Sequence, residues 1–317
     1  MASVLNEAYF HDEAAAFEAL ETILWPNGPT CPHCGATDRL NRLANQRSKP
    51  SKKHPQGIER HGLWKCYHCR GQFTVRKGTV FEASHLKLHQ WFQAAYLLCS
   101  SKKGISSNQL ARTLGCTVKS AWFASHRLRE AMKDGKLDPI GGGGKIVEAD
   151  ETYIGRKKGW KKPRGGFGHT MKVMSLVERG GTVRSTVMDT VTRQDVERII
   201  RKNVRHDSRL MTDTAAYYKR PGLAAEHEMV NHEISEYVRG DAHTNTLEGY
   251  FSIFKRGMKG IYQHCQEHHL HRYLAEFDFR YNNRIAAGVS DGARTTKALR
   301  GIVGKRLMYR DSFPDGA

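Results

Sequence analysis

Three acids set far apart in the chain have the residue type that phosphodiester chemistry needs. Asp150 lies in KIVEADETYI (145–154), Asp213 ends SRLMTD (208–213), and Glu248 lies in HTNTLEGYFSIFKRGMKG (243–260). Such chemistry often uses carboxylates that clamp two divalent ions about 4 Å apart, one activating the nucleophile and one steadying the leaving oxygen. Mg²⁺ prefers hard oxygen ligands of this kind. An acid inside an apolar, alternating stretch such as 145–154 needs a reason to be there, because an unpartnered buried charge is costly. On a strand, Asp150 shares a face with Ile146 and Glu148, while Glu151 points the other way. Asp213 stands where a short strand would meet its loop, or it caps a turn, since Thr214 and Ala215 follow. Glu248 also has two readings. Asn245 and Glu248 have the N-x-x-E spacing of a capping box. Yet Leu247, Tyr250, Phe251, Phe254, Met258 and Ile261 make one apolar stripe. Glu248, Ser252 and Lys255 share another face, which would look at a site or at DNA.

A second metal signal comes from Cys31-Pro-His-Cys34 and Cys66-Tyr-His-Cys69. Two CxxC knuckles supply four thiolates, the donor set of a tetrahedral structural zinc with no open position. Thirty-one residues separate Cys34 from Cys66, and residues 39–65 carry eight Lys or Arg and one Glu. Most of that span is expected to be an inserted basic loop, reaching phosphates or merely solvated. LWKCYHCRGQFTV resembles a ribbon strand, turn and strand. Cys99, Cys116 and Cys265 read as ordinary buried or partly buried thiols. His264, His268, His269 and His271 include an i, i+4 pair that could hold a second metal, but they read better as a histidine-rich surface facing DNA.

These groups need elements to hold them. Residues 6–25 have helical spacing through Phe10, Ala14, Phe17, Leu20 and Leu24, and Pro26 and Gly28 end the run. Residues 86–100 also read as a helix. GISSNQLARTLGCTVKSAWFASHRLREAM (104–132) has the grammar of a helix-turn-helix. Ser106 or Ser107 caps the first helix and Leu110, Ala111 and Leu114 face inward. Gly115 turns. Thr117 caps a second helix whose apolar side carries Val118, Ala121, Trp122 and Leu128. Lys119, Ser120 and Arg127 are then free to meet a major groove. GKLDPIGGGG (135–144) reads as a linker. It is not a phosphate loop, because no Ser or Thr follows Lys145, and no ATP use is expected. Beyond it, 171–179 and 182–191 flank Gly180-Gly181 as a hairpin. Residues 193–204, 246–259 and 266–284 read as helices and 208–213 as a strand. GRKKGWKKPRGGFGHT (155–170) holds six Lys or Arg and no acid. It suits a loop laid along a DNA backbone through Arg156, Lys157, Lys158, Lys161, Lys162 and Arg164, with Trp160 able to stack on a base.

The 317 residues leave room for two or three domains. Lys plus Arg is 51 against 32 Asp plus Glu, a net charge of +19. That surplus suits a polyanion, and nucleic acid is the commonest. Residues 1–38 contain no Lys or Arg, so the surplus lies beyond them. No apolar run has transmembrane length and the first twenty residues lack signal-peptide regions, so a cytoplasmic chain with no membrane partner is expected.

The segments WPNGPTCPHCG, CYHCRGQFTVRKGTVFE, EADETYIGRKK, MTDTAAYY, HTNTLEGYFSIFKRGMKGIYQHC and YLAEFDFRYNNR, in this order, resemble the ISXO-type zinc-ribbon DDE transposases, insertion sequence family 1595. The resemblance covers nearly the whole chain, and the long basic insert between the knuckles departs from it most. It implies a multidomain α/β protein. An N-terminal helix and zinc ribbon (1–84) and a helix-turn-helix (85–134) precede a linker (135–144). A ribonuclease-H-like, integrase-type catalytic domain with a mixed sheet (145–300) and a tail (301–317) follow. It implies that Asp150, Asp213 and Glu248 bind two Mg²⁺ or Mn²⁺ ions, with Asn245 a neighbour that ligates or caps. Lys255 and Arg256 would lie near DNA. The implied partners are double-stranded DNA, as element ends and target, and further copies of the chain in a dimer or larger assembly on the bacterial nucleoid. The implied activity is Mg²⁺-dependent cleavage of 3′ strands and their joining to target DNA. The alternative is an inactive or domesticated relative that regulates by binding DNA.

Overall fold

The structure is a computed structural model that describes residues 3–133, 135, 137–161, 168–219, 222–230 and 241–309. The chain divides into two compact units, one drawn from 1–101, 107–132 and 291–317 and the other from 102–106 and 133–290. Among the described residues no helix is long and apolar enough to cross a membrane.

In the first unit α1 (Glu13–Leu24) starts at Asp12, whose carboxylate accepts the Ala15 amide at 2.7 Å. Three short antiparallel strands follow, β1 (Leu40–Arg42), β2 (Trp64–Cys66) and β3 (Gln72–Phe73). β1 lies inside the stretch expected to be mostly loop, and Leu40 pairs with Cys66. The rest of the insert folds back through bridges between Arg47 and Glu59 and between Ser51 and His54.

Helices α2 (Leu88–Ser100), α3 (Ser107–Leu114) and α4 (Val118–Met132) complete this part. Leu110, Ala111 and Leu114 are buried as their spacing requires. Gly115 turns the chain at φ +62°, where a side chain would be strained. Two expectations for α4 fail. Val118 is 48% exposed rather than inward. Arg127 is buried, with Nε donating to the Leu307 carbonyl at 3.2 Å and Nη1 to the Glu82 carbonyl at 3.0 Å. Every residue from Ala124 to Arg129 is buried, so that stretch of α4 keeps no outward face; Lys119 and Ser120, in its first turn, are exposed. Arg127→Ala should therefore lower stability by about 1–3 kcal/mol, because it strands one buried and one partly buried carbonyl. Thermal melting checks this.

α8 (Asp291–Arg300), expected to lie with the catalytic domain, packs on α2 instead. Arg294 Nη1 donates to the Cys99 carbonyl at 2.8 Å. The chain after it, expected to be a tail, runs back beside residues 79 and 80, where the Val80 amide donates to the Ile302 carbonyl at 3.2 Å.

The second unit is built on β4 (Ile146–Ile154), β5 (Met171–Glu178), β6 (Val183–Met188), β7 (Arg209–Asp213) and β8 (Glu226–Val230). Their order is β6-β5-β4-β7-β8. β4–β5 and β5–β6 are antiparallel; β4–β7 and β7–β8 are parallel. In chain order this is 3-2-1-4-5 with the second strand reversed, the mixed sheet of a ribonuclease-H-like domain. One face packs Val147, Ala149, Met174 and Leu176 against Val196, Ile199 and Ile200 of α5 (Arg193–Asn203). The other packs Val173 and Val177 against Leu247, Phe251 and Phe254 of α6 (Asn245–Gly257) and Phe277 of α7 (Glu267–Asn282). β4 thus alternates, with Val147 and Ala149 toward α5 and Glu148 and Asp150 toward α6.

Candidate active site

β4 and β7 pair in parallel from Ile146–Arg209 to Glu148–Met211. Extending that register sets Asp150 level with Asp213, where the ladder has ended and the two strands open. The carboxylate oxygens of Asp150, Glu151 and Asp213 lie within 4.8 Å of one another. Glu151 does leave the strand on the α5 side, where the buried Tyr218 hydroxyl donates to it at 2.9 Å and Tyr217 donates as well. Its carboxylate nevertheless joins the other two, which alternation alone had sent away from it. The Asp150 carboxylate accepts the Glu151 amide at 2.8 Å, and that of Asp213 accepts the Ala215 amide at 3.0 Å. Asp213 therefore caps its turn and faces the cluster at once.

These acids oppose one another's ionisation. Burial, then the charges of Glu151, Asp213 and Glu248, hold the Asp150 carboxyl well above the usual carboxylate range. Burial and Asp213 push Glu151 up to about 7, against the stabilising hydrogen bond from Tyr218. Burial and the Glu151 charge push the Tyr218 phenol up as well, which keeps it a donor. A cluster of hard oxygens that resist sharing negative charge is chemically suited to a divalent cation, which would relieve the repulsion.

Glu248 is exposed in the first turn of α6, outside the three-acid cluster, and its charge still acts on Asp150. The capping box expected of Asn245 and Glu248 does not form. Thr244 is the N-cap and makes no side-chain cap bond. The first turn is satisfied instead by Glu148, which reaches over from β4 to accept the Leu247 amide at 3.0 Å and the Thr246 hydroxyl at 2.9 Å. Asn245 is exposed and its backbone N–H donates to His243 Nδ1 at 3.4 Å.

Lys255 is half-buried, its ammonium 6.0 Å from the Phe251 ring centre. Arg256 is exposed and donates to the Ser252 carbonyl and hydroxyl at 3.1 and 2.8 Å. In the basic loop Arg156, Lys158 and Lys161 are exposed, and so is Trp160, at 57%. Lys157 differs, because its ammonium pairs with Glu267 at 2.6 Å and ties the loop to α7. Lys162 and Arg164 lie outside the described residues. Of the histidine group, His269 is buried against Arg272 rather than at the surface.

The four cysteines also converge, with Cys31 and Cys69 sulfurs 3.7 Å apart and Cys34 and Cys66 sulfurs 3.6 Å apart. A tetrahedron with metal–sulfur bonds of 2.3 Å has edges of about 3.8 Å, so four thiolates at this spacing fit zinc. Cys99 is buried, and Cys116 and Cys265 are half-buried.

Residues 141–282, which contain all four acids, match the family model described as the ISXO2-like transposase domain. Residues 11–72, which contain all four paired cysteines, match the transposase zinc-ribbon domain. An uncharacterized protein in transposable element ISH50 of Halobacterium salinarum is 26% identical over 295 residues, 86% of this chain and 91% of that protein. Among solved structures, a pre-cleavage Mos1 transpososome is 15% identical over 66% of this chain and 73% of that chain, with a TM-score of 0.28. A Mos1 transposase paired-end complex with the left transposon end is 15% identical over 59% and 78%, with a TM-score of 0.20.

Proposed function

Because the chain belongs to the ISXO-type zinc-ribbon transposases of insertion sequence family 1595, we propose that it cuts the 3′ strands at its element's ends and joins them to target DNA. The convergence of Asp150, Glu151 and Asp213 supports this most, with the Glu248 charge acting on the first of them. Asp150, Asp213 and Glu248 would hold divalent ions, and Glu151, braced by Tyr217 and Tyr218, would add its carboxylate or orient a bound water. Bound there, Mg²⁺ or Mn²⁺ supplies charge neutralisation at the phosphate and a more acidic water or hydroxyl.

In the first step water attacks the phosphorus and the element's 3′ oxygen leaves. In the second that 3′ hydroxyl attacks a target phosphate in line, one P–O bond forming as the target's 3′ oxygen leaves. No covalent bond to protein is needed, so the chain contributes position and electrostatics. Lys255, Arg156, Lys158 and Lys161 would track the backbone, with Trp160 stacked on a base. The first turn of α4 would enter a groove with Lys119 and Ser120. Structural zinc on Cys31, Cys34, Cys66 and Cys69 would stiffen the ribbon that helps read the ends. Two ends must meet for joining, so at least two copies are expected on DNA.

Two experiments test this. Lys119→Ala should weaken end binding and lower the slope of log affinity against log salt by about one, as loss of one phosphate contact does. Fluorescence anisotropy over a salt series measures it. Cleavage of a duplex carrying the terminal repeat, with Mg²⁺, separates the candidates for the third ligand. Glu248→Gln should lose at least about a hundredfold in rate, ~2.7 kcal/mol of transition-state stabilisation. Asn245→Ala should stay within a few-fold of wild type; the reverse pattern would move the ligand to Asn245.

A further inference from the structure

Glu148 has no part in the chemistry described above, yet it is fully buried beside the site, at 0% exposure. It accepts Arg179 Nε at 2.6 Å, the Thr246 hydroxyl at 2.9 Å and the Leu247 amide at 3.0 Å. Arg179, in the turn after β5, donates further to the Asp241 carbonyl at 2.6 Å, the His243 carbonyl at 2.7 Å and His243 Nδ1 at 2.9 Å. A guanidinium can only donate, so His243 Nδ1 accepts and the ring proton sits on Nε2. The approach to α6 and its first turn, from Asp241 to Leu247, are thus tied to a buried carboxylate and its half-buried guanidinium partner.

Such a pair adds little to stability over well-packed apolar residues, because desolvating the carboxylate and part of the guanidinium offsets their attraction. What it adds is a fixed orientation for the groups bonded to it. Here those groups are two elements of the proposed site. Glu148 stands two residues before Asp150, on the same face of β4. Leu247, whose amide it accepts, immediately precedes Glu248.

We propose, resting on the functional reading above, that Glu148 is a positioning residue. It binds no metal itself, and it fixes where the Glu248 carboxylate stands relative to Asp150. Its effect on the metal site therefore runs through Glu248.

A double-mutant cycle on Mn²⁺ affinity, measured by calorimetry on the full chain without DNA, tests this. Glu148→Gln should weaken Mn²⁺ binding about tenfold, the size expected when a group that orients a ligand is lost. In a Glu248→Gln background the same change should cost less than about twofold. Equal losses in both backgrounds would overturn the inference, since Glu148 would then act on the fold or on the other acids. Unchanged affinity in a folded Glu148→Gln protein would overturn it too. If wild type binds no Mn²⁺, or Glu248→Gln binds it as tightly as wild type, the functional reading fails and this inference with it. Thr246→Val carries the test if Glu148→Gln does not fold. It removes one of the three bonds and leaves the Arg179 pair, so a smaller loss is expected, again absent in the Glu248→Gln background.

Discussion

Asp150→Asn is expected to leave strand cleavage and joining at least about a thousandfold below wild type, ~4 kcal/mol of transition-state stabilisation, while the metal-free protein melts at a higher temperature near pH 8. The activity loss follows if Asp150 is a metal ligand. The gain in stability follows from the electrostatics of the cluster when EDTA keeps metal away. Asp150 and Glu151 both have folded-state pKa values above their ordinary ones, through burial first and then neighbouring acids. A raised carboxyl favours folding while it is protonated. That contribution is complete below the ordinary value and is lost as pH rises through the folded value, which for Glu151 is about 7. Metal-free stability should therefore fall from about pH 4.5 to about pH 8, by roughly 3 kcal/mol for Glu151 alone if its shift acts in full. Removing the Asp150 charge relieves part of this, worth a few degrees in melting temperature. Divalent cations do the same for wild type. Excess Mg²⁺ should raise the wild-type melting temperature more near pH 8 than near pH 5.5, and Asp150→Asn should lose most of that rise. Calorimetric melts with EDTA or Mg²⁺ at the two pH values measure both effects. A variant that melts lower near pH 8 and keeps its response to Mg²⁺ would count against a metal site at Asp150.

Cys66→Ser should have the largest structural effect, with loss of zinc, melting of the ribbon and at least about tenfold weaker binding to element ends. Cys66 is fully buried and ends β2, the strand paired to both β1 and β3. It packs with Cys31 and Phe73 under Trp25 and Trp64. Strands of two and three residues are too short to hold together by pairing alone. Binding energy at a structural zinc, about 10–16 kcal/mol in small domains, is folding energy for such a ribbon. Elemental analysis should find one zinc per wild-type chain and almost none in Cys66→Ser, while Cys116→Ser keeps it. The Mg²⁺-dependent rise in melting of the second unit should survive in both.

The four paired thiols were legible in the sequence because their type and spacing carry the signal, and Asp150 and Asp213 were legible as acids on or ending apolar strands. So were β4, β5, β6, α6 and α7, whose apolar periods are strictly local. What stayed hidden depends on distant partners. β8 (EHEMV) carries two glutamates and a histidine on a five-residue strand and gives no clear alternation. α8 (DGARTTKALR) is polar along most of its length, and its anchor, Arg294, bonds a carbonyl 195 residues away. Arg127 looked available because nothing near it in sequence reveals that Leu307, 180 residues on, covers it. Alternation showed which side of β4 Glu151 leaves from. It could not show that a flexible three-bond side chain held by Tyr217 and Tyr218 would bring the carboxylate back to the cluster. Local spacing offers Asn245 and Glu248 as one reading of the α6 cap, whereas Glu148 supplies it from 99 residues away.

In the proposed function the acid cluster joins DNA strands. The most direct test offers a pre-cut element end with a free 3′ hydroxyl to a supercoiled plasmid in the presence of Mg²⁺. Wild type should yield plasmid covalently joined to the end, and Asp213→Asn should yield none while still binding the end. Wild-type protein that binds the end and takes up Mg²⁺ but releases only hydrolysed or unchanged DNA would contradict the claim.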